Sequence, residues 1–253
     1  MSGHSKWAQI RRSKGVNDAR RGQLFTRLGR EIVVAVREGG SGDPNANFRL
    51  RMAVQLARDA NMPLENIERT IKRALGGSEG ANLEEITYEG YGPGGTAMMV
   101  QAVTENRNRT VAEVRNAFNR NGGNLGENGC VDWLFEPTGI IEVELKGHDP
   151  DELSLEAIDL GANDADPVGP EDEYLTIYTD PSDLEKVRKG LEEKKYTVTR
   201  AESTMIAKTK VELNDEKVAH QVMRLIEKLE DLDDVQNVYT NADFPEEFAA
   251  SYE

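Results

Sequence analysis

Apolar residues recur at helical spacing through the first third of the chain and at strand spacing beyond it. Between 17 and 38, Leu24, Leu28, Ile32 and Val36 return every four residues with Phe25 and Ala35 beside them, which marks one buried helical face. At about 100° per residue, Arg20, Arg27, Arg30 and Arg37 take roughly the opposite arc. Val34 interrupts that arc and Glu31 flanks it. Gly39-Gly40-Ser41-Gly42 predicts the helix end, because glycine enters the left-handed terminating conformation without steric cost. A second helix after Asp43-Pro44-Asn45 is expected to bury Phe48, Met52 and Leu56. A third over Pro63–Leu75 places Leu64, Ile67, Ile71 and Leu75 on one face and Arg69, Lys72 and Arg73 on the other. Three short helices with brief connections predict a small antiparallel bundle, ending in a linker at Gly76–Gly80.

Past residue 80, strand and helix patterns alternate. Ile86–Glu89 and Ala97–Val103 read as strands joined across Gly90–Gly95, and Val131–Phe135 as another. Thr110-Val-Ala-Glu113 has the form of a capping box, opening a helix that buries Val111, Val114 and Phe118 and ends at Gly122-Gly123. Strands are then expected at Ile140–Leu145, Tyr174–Tyr178 and near Tyr196–Arg200. The helices between them lie near Pro150–Leu160 and Pro181–Lys194, the second capped by Asp180. Ile206–Leu213 reads as one strand, followed by a helix capped by Asn214 and a last strand at Val235–Thr240. Segment 81–136 has too few elements to close a four-stranded sheet, and 205–243 supplies what it lacks. The chain is therefore expected to be a multi-domain α+β protein. Residues 1–77 form a basic tail and three-helix bundle; 78–136 with 205–243 form a discontinuous α/β domain; 137–204 form an α/β domain inserted into it; 244–253 form an acidic tail. Both α/β domains are expected to be ferredoxin-like sandwiches.

Charge changes the picture more than composition does. The 253 residues carry a net charge of −15, yet residues 1–77 hold 15 cations against 7 acids, a net of +8 that leaves −23 for the rest. One end suits a polyanion and the other repels it. No run approaches the roughly 20 apolar residues of a membrane span, and the N-terminus has no apolar signal core, so no membrane role is expected. A single cysteine, Cys130, excludes an internal disulfide framework and fits a reducing, cytoplasmic setting.

Four motifs occur in order: Gly3-His-Ser-Lys-Trp-Ala8, Tyr88-Glu-Gly-Tyr-Gly-Pro-Gly-Gly95, Asn106-Arg-Asn-Arg-Thr110 and Gly122-Gly-Asn-Leu-Gly126. Together they closely resemble the YebC/PmpR family over essentially the whole chain. The resemblance implies three domains, the third inserted in the second. It also implies a nucleic-acid-facing regulator: DNA-binding transcriptional regulators on one side, and on the other the mitochondrial translational activator of cytochrome oxidase and bacterial members linked to translating ribosomes. Cys130 departs from the serine expected there.

The candidate nucleic-acid contacts are Lys6, Trp7, Arg11, Arg12, Lys14, Arg20, Arg21, Arg27 and Arg30, with Arg107 and Arg109 adding charge inside the acidic part. Arginine forks match phosphate oxygens and each neutralised phosphate releases counterions; Trp7 can stack on a base. Changing Arg20, Arg27 and Arg30 together to Glu is expected to abolish binding with the bundle intact. A second contact loop is read at Tyr88, Tyr91, Asn106 and Asn108, where a helix start attracts phosphate. Gly90–Gly95 lacks the Gly-Lys-Ser/Thr ending of a nucleotide loop and reads as a hairpin turn. His4, His148 and His220 lie far apart, without metal spacing. The expectation is therefore a non-enzymatic regulator with no cofactor and no metal. It would bind DNA in transcription or ribosomal RNA on the ribosome, and the acidic domains would contact protein partners.

Overall fold

The computed structural model describes residues 18–76, 83–169, 172–245, 247, 248 and 251, with side chains from Gly22 onward. Helices α1 (Asp18–Gly39), α2 (Phe48–Asp59) and α3 (Leu64–Leu75) form the bundle. Its core joins Ile32, Val33, Ala35 and Val36 to Leu50, Ala53, Val54 and Ala57, with Ile67 and Ala74 from α3. The buried face of α2 is thus rotated from the expected Phe48, Met52 and Leu56. Buried Asn47 fixes this phase. Its amide oxygen caps α2 by accepting from the Leu50 N–H at 3.0 Å, while its Nδ2 donates to the Ala35 and Ser41 carbonyls at 2.7 and 3.1 Å. Phe48 is left 41% exposed with the Arg51 guanidinium over its ring, and Leu64 and Leu75 are exposed as well.

Strands β1 (Glu84–Tyr91) and β2 (Ala97–Thr104) pair as an antiparallel hairpin. Helix α4 (Arg107–Arg120) leads to β3 (Asn124–Leu125), which pairs with β1. Residues 135–208 come next and form a compact unit of their own. After them the chain returns as β8 (Val211–Glu212), α7 (Glu216–Glu230), β9 (Val235–Thr240) and β10 (Ala242–Asp243). Strand β9 pairs with β2, so the sheet order is β3-β1-β2-β9, and strands from both sides of 135–208 share one sheet. Tyr88, Met98, Val100 and Ala102 on one face share a core with Val114 and Phe118 of α4 and with Val222, Leu225, Ile226 and Leu229 of α7.

Within 135–208 lie β4 (Phe135–Glu144), α5 (Pro150–Leu160), β5 (Asp164–Ala165), β6 (Tyr174–Thr179), α6 (Leu184–Glu193) and β7 (Val198–Ala207). The antiparallel order β5-β6-β4-β7 is the split βαβ arrangement of a ferredoxin-like sandwich. The discontinuous domain is not: its two central strands are a sequence-adjacent hairpin, which corrects the expectation of two sandwiches of one kind.

Local corrections have local causes. Residues 206–213 are not one strand: β7 ends at Ala207, and β8 pairs in parallel with β10. Residues 132–134 form a 3-10 turn rather than a strand, because the Glu89 carboxylate takes up the backbone N–H groups that a strand would use. The helix after β2 starts at Arg107 with Asn106 as cap, and Thr110 is buried inside it. Asp215, not Asn214, caps α7. Asp180 accepts instead from the Asn163 side chain, at 3.1 Å.

Candidate nucleic-acid interface

The arc of α1 opposite the bundle core was expected to face solvent, and a large part of it does not. Gln23, Arg30 and Arg37 are spaced by seven residues, two helical turns, so they share one face. All three reach the discontinuous α/β domain. Gln23 Nε2 donates to the Asp231 carbonyl at 3.5 Å and Arg37 Nη1 to the Leu83 carbonyl at 3.1 Å. Arg30 Nη1 donates to the Asp233 carbonyl and is ion-paired with the Asp234 carboxylate, 3.1 Å away. Val34, which interrupts the basic arc in the sequence, is 5% exposed yet outside the bundle's apolar cluster. Arg27 is only 8% exposed. Arg27 and Arg30, expected as solvated contacts, are thus buried and ion-paired to the α/β domain respectively, and a triple change of Arg20, Arg27 and Arg30 to Glu would disturb folding and docking together. Lys6, Trp7, Arg11, Arg12 and Lys14 lie outside the described residues, as do the side chains of Arg20 and Arg21.

Asp234 is the meeting point. It is 1% exposed, accepts from Arg109 Nη2 at 2.7 and 2.9 Å, Thr110 Oγ1 at 2.7 Å and Thr104 Oγ1 at 3.0 Å, and is ion-paired with Arg30. Burial alone would raise its carboxyl pKa. The hydrogen bonds from Arg109, Thr110 and Thr104 and the charge of Arg30 outweigh burial and hold it below the ordinary 3.8. Arg109, expected to meet phosphate, is thus ion-paired although its side chain is half exposed. A further cluster joins α2 to β1: Arg49 is paired with Glu31, Glu38 and Glu85.

The second expected contact loop divides in the structure. Tyr88 is buried in the sheet–helix core, which corrects its role as a displayed aromatic. Tyr91 is 40% exposed, but its hydroxyl donates to the Cys130 carbonyl at 3.0 Å. Asn106 spends its side-chain oxygen capping α4, accepting from the Arg109 N–H at 3.1 Å. Arg107 and Asn108 are exposed. Sequence reasoning missed the remainder of this helix's outer side. Arg115, Asn116, Asn119 and Arg120 are exposed on α4 as well, and Asn108, Arg115, Asn116 and Asn119 fall at i, i+7, i+8 and i+11, a single face. The signal was present in the chain: Arg and Asn recur where an amphipathic helix shows its outer side.

The glycine motifs answer to packing. A Cβ on Gly90 would come within 2.6 Å of the Asn124 carbonyl oxygen and one on Gly123 within 2.8 Å of that of Tyr91, where β3 closes on β1. At Gly94, with φ +71, a Cβ would press on Val218 and Leu213. The turn packs on the protein, not around a phosphate. Glu89, 6% exposed, accepts from the N–H groups of Gly129, Val131 and Asp132 at 2.6–2.8 Å and so fixes the 126–132 loop. Among the described residues no group of three His, Cys, Asp or Glu is placed to hold a metal, and no helix is long and apolar enough to cross a membrane.

A basic helical domain, a discontinuous α/β domain and a sandwich inserted in it define the class: a three-part α+β protein whose charge is divided between its ends. The chain belongs to the TACO1/YebC family. Residues 5–77 match the model of the TACO1/YebC protein N-terminal domain, and residues 83–242 that of the second and third domain. It is 58% identical, over the full length of both chains, to a "Probable transcriptional regulatory protein" of Chloroflexus aurantiacus. It is 55% identical to a protein of the same name from Moorella thermoacetica, covering 97% of this chain and 96% of that one. Among solved structures it is similar to a conserved hypothetical protein, Aq1575, of Aquifex aeolicus, with a TM-score of 0.80 at 48% identity over 90% of this chain and 92% of that one.

Proposed function

We propose that this protein is a regulator of gene expression that works in the cytoplasm by binding nucleic acid and catalyses no reaction. The observation that carries the reading is the charge division, +8 over residues 1–77 against −23 elsewhere. Arg58, Arg69, Lys72 and Arg73 of the bundle are exposed, as is the Arg- and Asn-bearing face of α4. Such cations suit phosphate contacts that position the protein, and exposed Asn and Arg can reach base edges. The names of the relatives bring this reading to duplex DNA and transcription. A second reading, ribosomal RNA on the ribosome, is favoured by one observation: Gln23 and Arg30, side chains of α1 of the types that read base edges, are turned onto the α/β domain. That leaves backbone and single-strand contacts in the lead. The acidic domains would orient the complex and meet protein partners.

Ultraviolet crosslinking in cells, with sequencing of the attached polymer, separates the two. Promoter DNA supports the first reading, ribosomal RNA the second, and neither above background overturns both. In solution, Arg69, Lys72 and Arg73 changed together to Glu should weaken binding across all sequences. The slope of log K against log salt should fall by about 2–3, since each lost phosphate contact removes about 0.7–0.9.

A further inference from the structure

Two guanidinium groups and two hydroxyls converge on one carboxylate at Asp234. That donor set is also what binds a phosphate group: planar forks matching paired oxygens, with hydroxyls filling the remaining lone pairs. The donors divide unequally between domains. Arg109, Thr104 and Thr110 belong to the α/β domain that carries Asp234, whereas Arg30 arrives from α1. When Arg30 leaves, Asp234 keeps three partners, so no unpaired charge is stranded inside the protein. Exposure is unequal too: the side chains of Arg30 and Arg109 are 23% and 50% exposed, that of Asp234 1%. An arriving polyanion meets the arginines before it meets the carboxylate. Around this node the contacts from Gln23, Arg37 and Arg49 to the α/β domain are polar or ionic, while Leu83 packs against the bundle core beside them; such a mixed surface is what domains of one chain share when they move against each other.

We propose that Asp234 is an internal competitor of nucleic-acid phosphate: it holds Arg30, and with it α1, on the α/β domain until a polyanion takes Arg30 over and undocks the bundle. The identity of the competitor rests on the nucleic-acid reading; the latch does not. The coupling has a sign opposite to that of a plain structural contact. Removing the charge of Asp234 removes a competitor and so tightens nucleic-acid binding.

The test uses the full chain with Cys130→Ser, spin labels at Gln55→Cys on α2 and Gln221→Cys on α7, and pulsed electron resonance distances. Wild type should give a narrow distribution at low salt and a broad one with a short single-stranded RNA or a DNA duplex bound. Arg30→Gln should be broad without nucleic acid, with far-ultraviolet dichroism unchanged. Asp234→Asn keeps the shape and should bind the same RNA about five- to tenfold more tightly, within the usual range of allosteric coupling. A narrow distribution in the wild-type complex, or in Arg30→Gln, overturns the proposal, as does unchanged or weaker binding by Asp234→Asn. If wild type binds neither polymer, the nucleic-acid reading fails by itself. Arg30→Gln and wild type in about 1 M KCl, where the Debye length is about 3 Å, then decide the latch: broad keeps it, narrow ends it.

Discussion

Glu89 and Asp234 are two buried carboxylates flanking the same four-stranded sheet, one in β1 and one just before β9. In each, burial would raise the pKa, and hydrogen bonds to the charged form lower it instead. They differ in what donates. Glu89 takes three backbone N–H groups from one short loop, donors that cannot turn away or find other partners. Asp234 takes side chains from three elements, two of them arginines that reach solvent. The same chemistry therefore welds a loop in one place and makes an exchangeable joint in the other. What distinguishes a clamp from a latch is whether its donors have an alternative acceptor.

The largest effect should come from attacking the clamp. Glu89→Gln must turn an amide NH2 toward a backbone N–H, because both oxygens face such donors, and it removes the charge that three bonds share. A loss of about 3 kcal/mol is expected, read as a lower urea midpoint at unchanged slope. Asp234→Asn should lose less than half as much, since hydroxyls can rotate to accept from the new amide and Arg109 can move into solvent. Equal losses would erase the distinction between the two sites.

Acid should act on both sites in one direction. A carboxylate whose folded pKa lies below its unfolded value stabilises fully above the unfolded value, about 4.5 for Glu89 and 3.8 for Asp234. That stability disappears as pH falls through the lower folded value. Wild type should thus lose stability on acidification below about pH 4.5 more steeply than Glu89→Gln, whose neutral side chain has no charge to lose. Parallel urea curves for the two proteins from neutral pH downward would contradict it.

Much of this was readable along the chain, and the boundary is physical. Four-residue recurrence located α1, and the shortage of strands before residue 137 pointed to an insertion, because both depend on local periodicity and strand number. The burial of Arg27 and the pairing of Arg30 were not readable, since charge looks solvated until a distant partner is known. Asp234 lies 204 residues further along the chain than Arg30. Yet Val34 was a visible warning: an apolar residue amid arginines marks an arc that is covered. Thr110 misled in the same way, as its capping pattern is real but its hydroxyl is drawn to Asp234, so that Asn106 caps the helix instead. Glycines at 90 and 123 were legible as turn chemistry, whereas the backbone oxygens they make room for appear only once β3 closes on β1.

The two arms of the latch should differ next. Arg30→Gln is expected to cost about 1 kcal/mol, the measure of one partly exposed ion pair, and to appear as loosened docking rather than as melting of the α/β core. Arg109→Gln, half exposed and within one domain, should cost no more than that and leave docking intact. Loss of docking in Arg109→Gln, with Arg30→Gln still docked, would reverse the roles assigned to them.

The smallest effect on stability should come from the outer face of α4, which belongs to neither site. Arg115 is exposed in mid-helix, and an exposed helix position away from caps and core changes stability by no more than about 0.5 kcal/mol when replaced. Arg115→Glu should therefore leave the melting temperature unchanged. If the α4 face meets nucleic acid, the same change reverses a charge on the contact surface and weakens binding several-fold, with a shallower salt dependence. Its value lies in contrast with Asp234→Asn. Both substitutions alter charge by removing or adding a carboxylate, one buried and one exposed, and they are expected to move affinity in opposite directions. A joint that competes with phosphate tightens binding when its negative charge is lost, whereas a surface that contacts phosphate weakens binding when a negative charge is added. Should Arg115→Glu leave affinity untouched while Asp234→Asn tightens it, the polyanion is held by the bundle alone and the exposed face of α4 serves another partner.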